Sequence, residues 1–298
     1  MQDLLEAVPN FSVAAPDAVD AIAAALETGA RVLDIHTDTD HNRSVFTCVG
    51  EPDGLVDGLA KAVAVAVERV DLNTHVGVHP RVGAADVIPF VRFAEGDERP
   101  RAAAEALAPR IAELGVPVFG YGELGAGLRP AHYRSGGPQR LGERLAAGEV
   151  RTLHGPQQLH ATAGAVLLGV RAPLVAFNVD LQTSDGEVAA DIARTVRASS
   201  GGLPGVQAIG LVLASTGRAQ VSTNLIDIDA TPLWQVVAEV RRLAAERGVE
   251  VAGSELVGLM PARVAWQAAA HGLMVADARP NRMVEVAVVG EFGGAQAR

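Results

Sequence analysis

The chain has 298 residues, of which 49% are hydrophobic and only 4% aromatic, so its cores must consist mainly of Val, Ala, Leu and Ile. Its net charge of -10 at pH 7 argues against non-specific binding to nucleic acid or to acidic membranes. The single cysteine, Cys48, excludes an intramolecular disulfide. Because the sequence shows neither a leader nor an apolar run of membrane-spanning length, we expect a cytoplasmic protein.

The first part of the chain predicts the element order β-α-β-β-α-β. Helical spacing of Ala, Val, Ile and Leu follows Pro16 and Pro52, and proline favours the first position of a helix. The predicted strands cover residues 4–11, 31–36, 44–50 and 85–93, and the predicted helices cover residues 16–28 and 52–69. This is the order of the split βαβ, or ferredoxin-like, motif.

The middle of the chain is less regular. We predict a helix at residues 100–114, a strand at residues 116–121 and, from its small and Ala-rich composition, a helix at residues 160–168. The connection at residues 120–155 is rich in glycine and arginine. A connection this long in a compact chain is usually functional or mobile.

The last part of the chain repeats the first order of elements. The predicted strands cover residues 174–181, 206–214, 219–226 and 249–256, and the predicted helices cover residues 185–199 and 232–247. A further helix is expected after Pro261, followed by a strand at residues 283–289. The repetition predicts an α+β fold with two ferredoxin-like subdomains, residues 1–172 and 173–298.

Most of the candidate chemistry lies in one turn, which contains His75, His79, Arg81 and Asp86. The two histidines have the spacing of metal ligands on a helix, but the glycines and prolines among them disfavour a helix. We therefore interpret His79 first as an acid–base residue on a rigid turn. The alternative, a loop histidine that only hydrogen-bonds its neighbours, stays open on the residues alone.

A second polar turn, residues 36–43, adds histidines and aspartates to this set. Together the two turns contain enough nitrogen and oxygen ligands for zinc or manganese. No recognised ligand spacing is present, however, so we expect no metal. A phosphate-binding Gly-rich loop with lysine and a Gly-x-Ser-x-Gly elbow are also missing from the sequence, which excludes nucleotide hydrolysis of the P-loop kind and that class of serine hydrolase.

A series of short motifs runs in order along nearly the whole chain. They are VPNFS at residues 8–12, HNRSVFT at 41–47, HPRVGAADV at 79–87, YGE at 121–123, GP at 155–156, FNVDL at 177–181, QVSTNL at 220–225 and GSELVGL at 253–259. With these motifs the chain resembles the formiminotransferase domain family, whose members transfer a formimino group to tetrahydrofolate. The resemblance implies two ferredoxin-like subdomains facing across a cleft, formiminoglutamate and folate as small-molecule substrates, tetrahydrofolate as co-substrate, no metal, and a homodimer.

The resemblance also implies roles for individual residues. His79 is the implied general base and acid, with His36 and Arg81 beside it in the catalytic site. The implied substrate and folate-binding residues are Asn10, Asn42, Arg43, Gly155, His160, Gly164, Asn178, Asn224, Gly253, Ser254, Glu255 and Gly258.

Some positions depart from the family pattern. Residues 13–15 are Val-Ala-Ala where the family has Glu-Gly-Arg, Val78 replaces a glutamate, and His36 replaces an aspartate. These departures leave two alternative functions open. One is a folate-related amidine or formimino hydrolase, in which water replaces folate, and the other is a non-catalytic ligand-binding module of the same fold.

Overall fold

A computed structural model describes residues 4–276 and residue 279. These residues form two compact units, one that runs to Ala172 and one that begins at Pro173. Each unit contains a β-sheet with helices packed on it, and the order β-α-β-β-α-β occurs in both. The predicted α+β class and the repeated order of elements are confirmed.

The described residues of the first unit form seven strands and five α-helices. Their bounds are β1 Leu5–Ala7, β2 Asn10–Phe11, α1 Pro16–Leu26, β3 Arg31–Asp38, β4 Arg43–Gly50, α2 Pro52–Arg69, β5 Ala85–Val91, α3 Arg99–Ala112, β6 Val118–Gly122, α4 Pro130–Arg134, α5 Gly137–Ala146 and β7 Val166–Arg171. Strands β1 and β2 occupy one position in the sheet, because both pair with β4 and with β5. The order across the sheet is β3, β4, β1 with β2, β5, β7, β6, and β5, β7 and β6 run parallel.

Both faces of this sheet carry apolar side chains. On one face, Phe11, Phe46 and Ile88 are fully buried together with the apolar stripes of α1, α2 and α3. On the other, Phe119 and Leu167 form a second cluster with residues of α4 and α5. Complete burial of a side chain of this size contributes about 1.5–3 kcal/mol, so these two clusters fix the strands from which the polar turns project.

The predicted helix at residues 160–168 is wrong. The chain makes a turn there and enters β7 at Val166. Because β7 lies between two parallel neighbours and is buried on both faces, its residues form a continuous apolar run without alternation, which cannot be distinguished from a buried helix by periodicity. The connection at residues 120–155 is also more regular than expected, since it contains α4 and α5.

The second unit is a four-stranded antiparallel sheet with three helices among the described residues. Their bounds are β8 Val175–Leu181, α6 Gly186–Val196, β9 Val206–Val212, β10 Ala219–Leu225, α7 Leu233–Ala245, β11 Val251–Val257 and α8 Ala262–Gly272. The strand order is β11, β8, β10, β9. The helix expected after Pro261 is confirmed, and the strand expected at residues 283–289 lies outside the described residues. No described helix is long and apolar enough to cross a membrane.

Candidate active site

His79 lies in the loop between α2 and β5, residues 70–84, as the glycines and prolines predict. Main-chain hydrogen bonds anchor this loop at both ends. Leu72 donates to the carbonyl of Thr162 at 2.8 Å, and Ala84 donates to the carbonyl of Ala163 at 2.9 Å. The segment that precedes β7 therefore supports the histidine loop directly.

Two glycines allow this close approach. Gly83 and Gly164 form an isolated β-bridge, and Gly164 has a φ of +67°. A Cβ atom on Gly83 would lie 1.8 Å from the carbonyl oxygen of Ala165, and one on Gly164 would lie 2.2 Å from that of Val82. Contacts this short with backbone atoms cannot be accommodated, so both positions require glycine for a reason of backbone geometry.

Asp86 is the charged centre of the site and is 0% exposed. Its carboxylate accepts hydrogen bonds from Arg43 Nη1 at 2.7 Å, from Arg134 Nη2 at 2.5 Å and from the main-chain N–H of Val82 at 2.8 Å. Burial by itself raises the pKa of Asp86, but Arg134, Arg43 and the Val82 N–H outweigh it and hold the pKa below its ordinary value. The carboxylate is therefore charged at neutral pH.

Arg43 is buried at the start of β4 and is fully engaged. Besides Asp86, it donates from Nε and Nη2 to Asn10 Oδ1 at 3.2 and 3.0 Å. Burial lowers the pKa of Arg43 to about 10, against the opposing attraction of Asp86. The guanidinium thus stays charged at neutral pH, and it fixes Asn10 as well as Asp86.

Arg81 connects the histidine loop to the β3–β4 turn. It donates from Nε and Nη2 to the carbonyl of His79 at 3.1 and 2.7 Å, and from Nη2 to the carbonyl of His41 at 3.0 Å. Its Nη1 contacts the ring of His75. The hydrogen bonds of Arg81 therefore go mainly to the backbone of the two turns.

Asn42 has a similar connecting role from the tip of the β3–β4 turn, where its φ is +45°. Its Oδ1 accepts from the N–H of Ala14 at 2.9 Å, and its Nδ2 donates to the carbonyl of Val76 at 2.9 Å. Asparagine tolerates this left-handed conformation better than most residues. One side chain thereby joins three segments of the site.

His79 is half-buried, and its Nδ1 lies 2.8 Å from the carbonyl oxygen of Pro80. Because a carbonyl can only accept, Nδ1 carries the proton and Nε2 keeps its lone pair. Burial lowers the pKa of His79 well below its ordinary value, and the positive charges of Arg43 and Arg134 lower it further. The imidazole is therefore neutral at physiological pH, with Nε2 able to accept a proton.

The remaining predicted residues of the first unit lie on several different segments. His36 is half-buried on β3, opposite Val45. Gly155 has a φ of +89° and follows the bridge between His154 and β6. His160 Nδ1 accepts from the N–H of Ala163 at 3.1 Å, which closes the turn that carries Gly164.

The other predicted residues belong to the second unit. Asn178 on β8 lies between Ser222 and Glu255 in the sheet register, and its Nδ2 donates to Glu255 Oε2 at 3.1 Å. A Cβ atom on Gly253 would have no neighbour within 4 Å among the atoms of the described residues. The other members of this set are Asn224 on β10, Ser254 on β11 and Gly258, which has a φ of +72°.

Two residues of the site, Asp86 and Arg134, received no catalytic or binding role from the family resemblance. Asp86 belongs to the same motif as His79, so that motif contained the signal. Arg134 is 48 positions further along the chain than Asp86, and only the arginine-rich composition of its segment pointed to it. Among the described residues, no group of three or more His, Cys, Asp or Glu is placed to hold a metal ion.

Comparisons with known proteins cover almost the whole chain. The family described as "Formiminotransferase domain, N-terminal subdomain" matches residues 4–171, and the family described as "Formiminotransferase domain" matches residues 176–285. A glutamate formimidoyltransferase of Streptococcus pyogenes is 36% identical over 93% of this chain and 95% of its own length. A glutamate formimidoyltransferase of Thermoplasma acidophilum is 36% identical over 87% of this chain and 88% of its own length. A formimidoyltransferase-cyclodeaminase of Sus scrofa is 40% identical over 91% of this chain, which spans only 52% of that relative.

Proposed function

Because the chain belongs to the formiminotransferase domain family, we propose that it transfers a formimino group from N-formimino-L-glutamate to N5 of tetrahydrofolate. The relatives named glutamate formimidoyltransferase, which the chain matches along nearly their full length, support this transferase activity. Tetrahydrofolate is a co-substrate in this proposal, and no metal takes part. We also propose a cytoplasmic location and, from the family resemblance alone, a homodimer.

The reaction requires one proton to be removed from N5 of the folate and one to be added to the glutamate nitrogen. N5 of the folate attacks the amidine carbon, which forms a new N–C bond and a tetrahedral centre. The bond from that carbon to the glutamate nitrogen then breaks, and glutamate leaves as an amine. A base must remove the N5 proton and an acid must protonate the leaving nitrogen, and one histidine can do both in turn.

The observation that carries the proposal is the state of His79. Its Nδ1–H is directed to the carbonyl of Pro80, and burial together with adjacent positive charge lowers its pKa and keeps the ring neutral, so Nε2 is available as the base. Once protonated beside Arg43 and Arg134, the imidazolium is a strong acid toward the leaving amine. Binding both substrates in one orientation supplies the rest of the rate acceleration.

The departures at residues 13–15 leave the local backbone anchored. The carbonyl of Val13 accepts from Ser44 Oγ at 2.7 Å, and the N–H of Ala14 donates to Asn42. These bonds need no particular side chain at either position. The departures therefore change which side chains this segment presents, and the hydrolase and the binding module stay as the alternatives to be tested.

A turnover assay tests the proposed function against both alternatives. We expect glutamate release from N-formimino-L-glutamate only when tetrahydrofolate is present. Release at the same rate without tetrahydrofolate would identify a hydrolase. Tetrahydrofolate should also raise the melting temperature, because a ligand that binds only the folded state stabilises it. A raised melting temperature with no turnover would instead indicate a binding module.

The pH dependence of the reaction should reflect the lowered pKa of His79. Only the neutral ring can accept the N5 proton, so kcat/KM falls as pH drops through the pKa of the free enzyme. Because burial and the two arginines lower that pKa, we expect the midpoint of the acid limb below 6.5. The same shift makes the folded protein less stable as the pH falls below 6.5, since the unfolded chain then binds more protons. A limb centred at or above 6.5 would contradict the assignment.

A further inference from the structure

Arg134 is the arginine of this site whose hydrogen-bonding groups are least used. Arg43 directs all three of its nitrogens to Asn10 and Asp86. Arg81 directs its three nitrogens to the two turns. Every side-chain nitrogen of Arg43 and of Arg81 therefore already serves a contact that holds the site together.

Among the described residues, Arg134 makes a single hydrogen bond, from Nη2 to Asp86. Within the part of the chain that the structure describes, its Nε is buried and has no hydrogen-bond partner. The side chain as a whole is nevertheless 15% exposed, so it is not sealed from solvent. Burying an N–H donor of a charged group without a partner is costly, and a bound acceptor would remove that cost.

The local charges favour an anion at the same place. One carboxylate, Asp86, serves two guanidinium groups, those of Arg43 and Arg134. The neighbouring His79 is neutral for the reasons given above and does not add a compensating charge. Arg134 is also close enough to His79 to lower its pKa. A carboxylate bound by Arg134 would therefore lie beside the reacting atoms.

We propose that Arg134 binds the α-carboxylate of the formimino donor, and this inference rests on the proposed function. In formiminoglutamate, the α-carboxylate is attached to the same carbon as the leaving nitrogen. A base that serves this nitrogen is therefore necessarily close to the α-carboxylate. The carboxylates of the folate tail, by contrast, are separated from N5 by the aminobenzoyl group. A guanidinium with free Nε and Nη donors matches a carboxylate in two parallel hydrogen bonds.

The test compares Arg134→Met and Arg134→Lys with the unchanged protein. For Arg134→Met, we expect the KM for formiminoglutamate to rise about 10- to 100-fold, the range for losing hydrogen bonds to a charged group, with the KM for tetrahydrofolate within about twofold. Arg134→Lys keeps the charge but not the paired geometry, so its effect should be smaller. Arg101→Met is the control, since Arg101 also bonds a carboxylate, Glu105, but on the exposed face of α3.

A donor without the α-carboxylate, N-formimino-4-aminobutyrate, identifies the group that is bound. With this donor, Arg134→Met should behave as the unchanged protein does, because the contact is already absent. An unchanged KM for formiminoglutamate in a folded Arg134→Met protein would overturn the assignment. A raised KM for tetrahydrofolate alone would overturn it too, in favour of the folate tail.

Binding of L-glutamate separates this inference from the proposed function. We expect L-glutamate to raise the melting temperature of the unchanged protein and not that of Arg134→Met. If this difference is found but no transfer to tetrahydrofolate occurs, the carboxylate site stands and the proposed function fails. If transfer occurs but L-glutamate stabilises both proteins equally, the site assignment fails and the proposed function stands.

Discussion

Replacing Asp86 with alanine is expected to lower the free energy of unfolding by about 3–5 kcal/mol, the range for removing one member of a buried ion pair. Stability is lost because Arg43 and Arg134 would remain charged after losing the carboxylate to which both donate hydrogen bonds. The N–H of Val82 would also lose its acceptor at the end of the histidine loop. Urea unfolding of the two proteins measures the difference.

Asp57→Ala is the matched control, because Asp57 also pairs with an arginine, Arg110, but on the exposed surface. Exposed ion pairs contribute little to stability, so this variant should unfold close to the unchanged protein. Asp86→Asn keeps the shape and an acceptor for Val82 while it removes the charge, which separates the electrostatic part of the effect. Equal stability losses at Asp57 and Asp86 would contradict a special role for the buried cluster.

The contribution of Asp86 should depend on pH in a defined direction. Its pKa in the folded protein is held below the ordinary value of 3.8. The carboxylate therefore contributes its full stabilisation above about pH 4 and loses it as the pH falls below that value, because the unfolded chain takes up the proton first. The stability of Asp86→Ala should be less sensitive to pH in that acid range.

The order of elements could be predicted because local signals agreed with it. Proline at the start of α1 and α2 and the helical spacing that follows fixed these helices to within a few residues. Strand β7 could not be predicted in this way, since burial on both faces removes the alternation that identifies a strand. Its conformation depends on pairing with β5 and β6. These strands are distant in the sequence, so the local pattern of residues gives no sign of the pairing.

Some features of the candidate site follow from neighbouring residues in the sequence, and others depend on contacts between distant residues. His79 and Asp86 belong to one motif, and the position of His79 in a rigid turn follows from the glycines and prolines around it. The partnership between Asp86 and Arg134 joins residues 48 positions apart and exists only after α4 has packed on the sheet. The hydrogen bonds of Arg81 could not be predicted either, because nothing in the motif distinguishes an arginine that binds substrate from one that donates to main-chain carbonyls.

Replacing His79 with alanine should have the largest effect on activity. We expect kcat for formimino transfer to fall by roughly 10²- to 10⁴-fold, the range for losing a general acid–base group. The KM values should change little, because the imidazole moves a proton and does not hold the substrate carboxylates. Within the described part of the chain, the His79 side chain donates one hydrogen bond, to the adjacent Pro80, so the fold should tolerate the change.

His75→Ala separates a proton-transfer role of His79 from a general requirement for histidine in this loop. His75 contacts Arg81 and lies 3.2 Å from the carbonyl of Asn42, so its loss should loosen the two turns and lower thermal stability. Its effect on kcat should be much smaller than that of His79→Ala, because in this mechanism His75 does not touch the reacting nitrogen atoms. If His79 is the base, His79→Ala should show the larger loss of kcat and His75→Ala the larger loss of melting temperature. Two results would contradict this role: a loss of activity in both variants that only follows the fraction unfolded, or near-normal turnover by folded His79→Ala protein. In either case His79 would be a supporting residue of the loop, and another group would have to transfer the proton.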